Sequence, residues 1–248
     1  FHFTLNDYEK ESLEPNVPVL KERIETFQNL SDKIGKDRVI WRFDPLILTN
    51  KLDTQGLIEK IKRVGDQVAG KTTKLVFSFA DISNYQKVSR NLKNANVNYV
   101  EFTNDKMIEI ASNIAKLCKQ WRIEATTCAE SIELAQFGIK HNKCIDDELI
   151  LKISNYDNEI RKLFGMEIDL QKDLFGLKIK PKKKIKDLGQ RLACGCVFSK
   201  DIGMYNTCPH LCVYCYANHS ESIVRKNMLA HQKHSESIFN VGGEKTER

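Results

Sequence analysis

Val39-Ile40-Trp41-Arg42-Phe43-Asp44-Pro45 is the stretch that sets the fold class. Its β-branched and aromatic start reads as a strand, and Pro45, which has no N–H to give a ladder, is expected to end it. Upstream, Leu20, Ile24, Phe27, Leu30 and Ile34 recur at helical spacing until Gly35, with Asn16 as the expected cap and Pro18 in the first turn. Downstream, Asp53 or Thr54 opens a second helix that carries Leu57, Ile58, Ile61, Val64 and Val68 on one face and ends at Gly70. A strand set between two amphipathic helices is the unit of a parallel sheet with right-handed crossovers.

The unit repeats along the chain. Phe1-His2-Phe3-Thr4-Leu5 alternates like a strand already under way, and residues 74–81 and 122–128 read as further strands, with a weaker one at 97–102. Helices are expected at 82–92 and 131–137. Asn104 or Asp105 should cap the strongest, whose buried face holds Met107, Ile108, Ala111, Ile114, Ala115 and Cys118, so that Cys118 acts as a small hydrophobe. Residues 1–150 are therefore expected to be α/β: four or five units of a partial (βα) barrel of TIM or radical-SAM type. A closed barrel takes about 250 residues, so its remaining units are expected before Phe1. A connector follows over 151–190, with helical candidates at 146–153 and 158–164 and then Lys178, Lys180, Lys182, Lys183, Lys184 and Lys186 around Pro181. Residues 191–248 form a cysteine-rich region and tail.

The chain has 248 residues and a net charge of +6. The excess is local, because residues 178–248 hold 13 Lys or Arg against 6 Asp or Glu. The lysine run has no interleaved aromatics, so a solvated connector is preferred to a nucleic-acid platform. No apolar run has membrane-spanning length, and eight cysteines without a secretory leader suggest reduced thiols that serve metal. The expected setting is cytoplasmic.

Chemistry concentrates in Thr207-Cys208-Pro209-His210-Leu211-Cys212-Val213-Tyr214-Cys215-Tyr216-Ala217-Asn218. Gaps of three and then two residues let Cys208, Cys212 and Cys215 reach three corners of a [4Fe-4S] cluster and leave the fourth iron without a protein ligand. Such an iron can accept the amino and carboxylate groups of S-adenosylmethionine, as an open zinc position accepts water. The cofactor then carries chemistry that the protein only aims. Tyr214 falls where Cys-x3-Cys-x-aromatic-Cys loops carry an aromatic. A zinc site completed by a fourth cysteine, or disulfides in an oxidising compartment, are the other readings of these thiols.

Setting Cys118 aside leaves Cys128 at a strand end, Cys144 after the next expected strand, and Cys194 and Cys196 on either side of Gly195. These four can hold a second cluster or a structural zinc, or remain unligated. Catalytic groups on parallel sheets gather at the carboxyl ends of strands, which singles out Arg42, Asp44, Asp81, Thr126 and Glu130. Val241-Gly242-Gly243-Glu244 has the form of the Gly-Gly-Glu element that engages the amino group of S-adenosylmethionine, so Gly242, Gly243 and Glu244 join Tyr214 as cofactor-binding candidates. A polar flexible end is the plainer reading of that stretch. His210 can tune a cluster by hydrogen bonding.

Several stretches together resemble one family. They are Leu13-Glu14-Pro15-Asn16-Val17-Pro18, Trp41-Arg42-Phe43-Asp44-Pro45, Thr127-Cys128-Ala129-Glu130, Cys144-Ile145-Asp146, Gln190-Arg191 with Cys194 and Cys196, and Asp201-Ile202-Gly203 leading into the triple-cysteine loop. The chain resembles, over nearly its whole length, the bacterial family called domain of unknown function 1848, whose C-terminal cysteines are like those of radical-SAM enzymes. One departure is plain: radical-SAM enzymes place this loop after the first strand, whereas here it follows the βα units. The order must be permuted, or the loop must cap the sheet from outside. The leading expectation is an iron–sulfur protein of radical-SAM type that is reduced by a donor such as flavodoxin or ferredoxin and acts on an unknown substrate. An electron carrier or redox sensor, and a zinc-stabilised nucleic-acid-binding module, are the alternatives.

Overall fold

The computed structural model describes residues 1–164, 166–168, 179–181, 186, 187, 189–232 and 234. Its elements are β1 (His2–Thr4), α1 (Leu20–Ile34), β2 (Ile40–Leu46), β3 (Leu48–Thr49), α2 (Thr54–Val68), β4 (Lys74–Phe79), α3 (Gln86–Asn94), β5 (Tyr99–Val100) and α4 (Asn104–Trp121). These are followed by β6 (Glu124–Thr127), β7 (Lys140–His141), α5 (Asp147–Ile153), α6 (Asn158–Leu163), β8 (Met166–Ile168), β9 (Ile179–Pro181) and α7 (Glu221–Ala230). Five strands form one parallel sheet in the order β1-β2-β4-β6-β7. Among the described residues, β1 and β7 form the edges of this sheet.

Strand alternation divides the sheet into two faces. The pairings Phe3↔Trp41↔Leu75↔Ala125 align one rank, and Thr4↔Arg42↔Val76↔Thr126↔Lys140 the next. The first face carries the main core: Trp41, Phe43, Leu75 and Phe77 are fully buried there with α1, α2 and α4 residues such as Phe27, Ile61 and Ile114. Burial of each such side chain is worth about 1.5–3 kcal/mol. Trp41 packs against Trp121 of α4 with the rings tilted at 5.9 Å and donates its ring N–H to Leu5 O at 3.0 Å. Gly65 lets α2 and α4 approach, since a Cβ there would lie 2.1 Å from the Trp121 ring. The second face holds Arg42, Asp44 and Ser78, and it is where the polar chemistry lies.

The structure departs from the sequence expectations at several points. β2 runs through Pro45 to Leu46, because Pro45 sits at a register shift between Phe43 and Leu46 where the ladder does not need its N–H. Asn16 does not cap α1, which starts at Leu20 after Val19 with no side-chain cap. Asn16 instead donates its side chain to Pro209 O and its amide to His210 O. The weak strand at 97–102 shrinks to β5, which pairs antiparallel with β3 outside the main sheet. Thr103, rather than Asn104 or Asp105, caps α4 by accepting from Lys106 N. α3 starts at Gln86, and the stretch expected as a helix at 131–137 is a single 3-10 turn over Ala135–Phe137.

Candidate functional site

The triple-cysteine loop docks on the segment that leaves β1. Val213 N donates to Leu13 O at 2.8 Å, and Asn16 makes the two bonds to Pro209 and His210 described above. Tyr214 inserts its ring edge-on to Tyr8 at 6.2 Å and donates its hydroxyl to Glu14 Oε1 at 2.5 Å, while Asn6 Nδ2 donates to the Tyr214 hydroxyl at 3.1 Å and to Glu14 Oε1 at 2.9 Å. Glu14 is held in turn by Arg23 at 3.4 Å, with both side chains less than a tenth exposed. Burial, followed by the Glu14 charge, drives the Tyr214 phenol well above its ordinary pKa, so it remains a donor. Within the loop, Cys215 N bonds Cys212 O and Asn218 Nδ2 bonds Cys208 O. The loop thus packs on the segment that leaves the edge strand β1, although it follows the βα units in sequence.

Cys212 lines two cavities. One, of about 500 Å³, is bordered by His2, Thr4, Glu14, Arg23, Cys212 and Tyr214; the other, of about 350 Å³, by Cys212, Cys215, Asn91 and Asn218. Asn218 is buried, and its Oδ1 has no partner. Burial, reinforced by Glu14, pushes the Cys212 thiol up to about 12. Among the described residues, no three His, Cys, Asp or Glu side chains are gathered tightly enough to hold a single ion. A four-iron cluster spaces its thiolates more widely than a single ion does, because each binds a different iron. Three free thiols on one loop, two of them facing one cavity, fit that donor set.

The second group forms on the polar face. Arg42 and Asp44, two residues apart on β2, share that face and pair through Arg42 Nε at 3.1 Å, and Ser78 Oγ donates to the same carboxylate. Arg42 Nη1 reaches Cys144 Sγ at 3.0 Å, and Cys144 Sγ lies 3.5 Å from Cys128 Sγ. The hydrogen bond from Cys128, opposed by burial and aided by Arg42, lowers the Cys144 pKa, while that of Cys128 rises for the complementary reason. Cys196 Sγ accepts from the amides of Cys144 and Ile145 at 3.1 and 3.4 Å. Cys194 lies against Cys196. Glu130 accepts from Phe79 N at 2.9 Å, and burial raises its pKa to about 7. A line of hydrogen bonds joins the two groups: Tyr214 to Asn6, Asn6 to the Asp44 backbone, Asp44 to Arg42, and Arg42 to Cys144.

Of the strand-end candidates, Arg42, Asp44, Glu130 and Cys128 converge and Asp81 does not. Asp81 is exposed and accepts from Ser83 and Asn84 in a local turn. Thr126 bonds the Leu75 carbonyl at 3.2 Å and is buried in the sheet. His210 is exposed. Gly242, Gly243 and Glu244 lie outside the described residues, as do Lys178, Lys182, Lys183 and Lys184. Lys180 falls in β9, and Lys186 donates to Leu192 O at 2.5 Å. Sequence reasoning gave no role to Asn6, Glu14, Arg23, Ser78 or His2, whose Nε2 contacts Cys144 O at 2.9 Å. The strand-end rule applied to β1 would have found Asn6.

No helix among the described residues is long and apolar enough to cross a membrane. No curated protein and no solved structure matches the chain. Residues 1–217, which include both cysteine groups, match the model of the family described as a domain of unknown function (DUF1848), and the chain belongs to that family.

Proposed function

We propose that this chain is an iron–sulfur protein of radical-SAM type, in which Cys208, Cys212 and Cys215 hold a [4Fe-4S] cluster at the carboxyl end of a parallel sheet. The observation that carries the reading is the docking of the loop, through Val213 and Tyr214, on the segment leaving β1. That places three thiols at the end of the sheet where such folds keep their chemistry. Strand order supports a part-barrel, because β1, β2, β4, β6 and β7 follow chain order without reversal and α1, α2 and α4 pack in the same sequence. A doubly wound sheet would reverse at a switch point.

Cys208, Cys212 and Cys215 would hold such a cluster, which would supply the one-electron reduction of S-adenosylmethionine. The protein's own groups aim that event. Tyr214 and Glu14 fix the loop, and both cavities beside Cys212 fall within the roughly 300–1,000 Å³ of small-molecule sites. Arg42 and Asp44 present fixed opposite charges on the polar face, and Glu130, with its pKa near neutrality, can give or take a proton there. The substrate is expected over that face. The test is anaerobic reconstitution with iron and sulfide, reduction by dithionite or by a flavodoxin or ferredoxin, and assay for 5′-deoxyadenosine. Product in the parent protein and its loss in Cys212→Ala is the expected result. A cluster-replete protein that never cleaves the cofactor would leave an electron carrier or redox sensor instead.

A further inference from the structure

The second cysteine group lies apart from the loop that carries the proposed cluster. Cys128 leaves β6, Cys144 follows β7, and Cys194 and Cys196 come from a stretch without helix or strand. Three separate parts of the chain thus bring four thiols to one end of the sheet. Gly195 permits part of this: a side chain there would meet Lys143 Cγ at 3.2 Å and Asn142 O at 3.5 Å, so its lack of a Cβ lets the Cys-Gly-Cys turn seat on the segment that carries Cys144.

We propose that Cys128, Cys144, Cys194 and Cys196 bind one zinc ion as a tetrathiolate, fastening the chain that leads into the cysteine loop to the end of the sheet. Zinc–sulfur bonds of about 2.3 Å in a tetrahedron put neighbouring sulfurs about 3.8 Å apart. Cys128 and Cys144 stand at 3.5 Å, close to one such edge. In a four-iron cluster each sulfur sits on its own iron, so the sulfurs stand wider. The surrounding donors suit thiolates. Cys144 receives Arg42 Nη1 at 3.0 Å and Asn142 Nδ2 at 3.4 Å, and Cys196 receives two backbone amides. Binding releases four thiol protons and leaves a centre of charge −2, which the Arg42 guanidinium partly offsets.

Stability gives the ion a purpose. Among the described residues of 186–220, only Cys196, Val197 and Asn218 are buried. A segment with so little core of its own is the kind that structural zinc holds in place. As thiols the four do not yet converge on one point. The Cys128–Cys144 edge already stands near the length the ion would set.

The test needs no enzymatic activity. Metal analysis of the full chain, and of a variant carrying Cys208→Ser, Cys212→Ser and Cys215→Ser, should find one zinc per chain in both. Cobalt substitution of the parent protein should give the charge-transfer and ligand-field spectrum of a tetrahedral four-sulfur site. In chelator competition, Cys128→Ser and Cys194→Ser should weaken zinc binding by at least about 100-fold, a larger loss than removal of an outer-shell partner brings. Cys118→Ser should bind as the parent does. Iron and sulfide in the triple-serine variant would overturn the proposal in favour of a second cluster. Metal-free protein with all four thiols open to alkylation, or a Cys128–Cys144 disulfide found by peptide mapping, would overturn it as well. The triple-serine variant makes the outcome independent of what the loop binds.

Discussion

Tyr214→Phe tests how the cysteine loop is held. The substitution keeps the ring and its edge-on contact with Tyr8, and removes only the hydroxyl that donates to Glu14 and accepts from Asn6. Glu14 is 5% exposed, so water cannot readily replace the lost donor. A hydrogen bond to a charged, buried carboxylate is worth about 1.5–3 kcal/mol. At 1.36 kcal/mol per decade, the docking equilibrium should fall by roughly 10- to 150-fold. Hydrogen exchange reads this directly: the Val213 amide, which donates to Leu13 O, should exchange faster by that factor, while amides of β2 and β4 keep their protection. Because burial keeps the phenol protonated, the effect should not vary with pH across the neutral range. Unchanged exchange at Val213 in a variant whose strands stay protected would refute the anchoring role of the phenol.

Three further outcomes are expected. Gly65→Ala should destabilise the protein even though alanine favours helix by about 1 kcal/mol, because its Cβ would overlap the Trp121 ring, and overpacking costs about 1–3 kcal/mol; Trp121→Leu in the same chain should recover part of the loss, and strictly additive denaturation free energies would contradict the contact. Asp81→Asn should change stability by no more than about 0.5 kcal/mol and leave 5′-deoxyadenosine formation intact, and a tenfold loss of product would return Asp81 to the site. Burial pushes the Cys118 thiol up to about 12 from 9.0, so its thiolate at pH 8 should be about a thousandfold scarcer than that of a free thiol, and alkylation of the native protein should spare it until denaturant is added.

Periodicity made the helix–strand alternation legible, because α1, α2 and α4 each bury one stripe against a sheet whose central strands are apolar. Endings were harder to read. Pro45 stays inside β2 because a register shift relieves the ladder of its missing donor, and Asn16 gives up its capping role for a partner 193 residues away. Such long-range bonds leave no trace in local spacing. The strand-end rule singled out Arg42, Asp44 and Glu130, of which Arg42 and Asp44 pair on one face of β2. It also chose Asp81, which fills the same position but is satisfied by its own turn. Glu14 and Asn6 escaped it, since their importance comes from the loop that lands on them from the far end of the chain. The meeting of Cys128 and Cys144 follows from adjacent strands β6 and β7, which is a matter of topology more than of spacing.

The most direct measurement is pulsed electron paramagnetic resonance of the reduced, reconstituted protein mixed with S-adenosylmethionine whose amino nitrogen is isotopically labelled. The predicted result is a hyperfine coupling from that nitrogen to the cluster, absent in Cys212→Ala. A reduced cluster whose spectrum is unmoved by the cofactor, or a loop found to bind zinc in place of iron, would contradict the assignment.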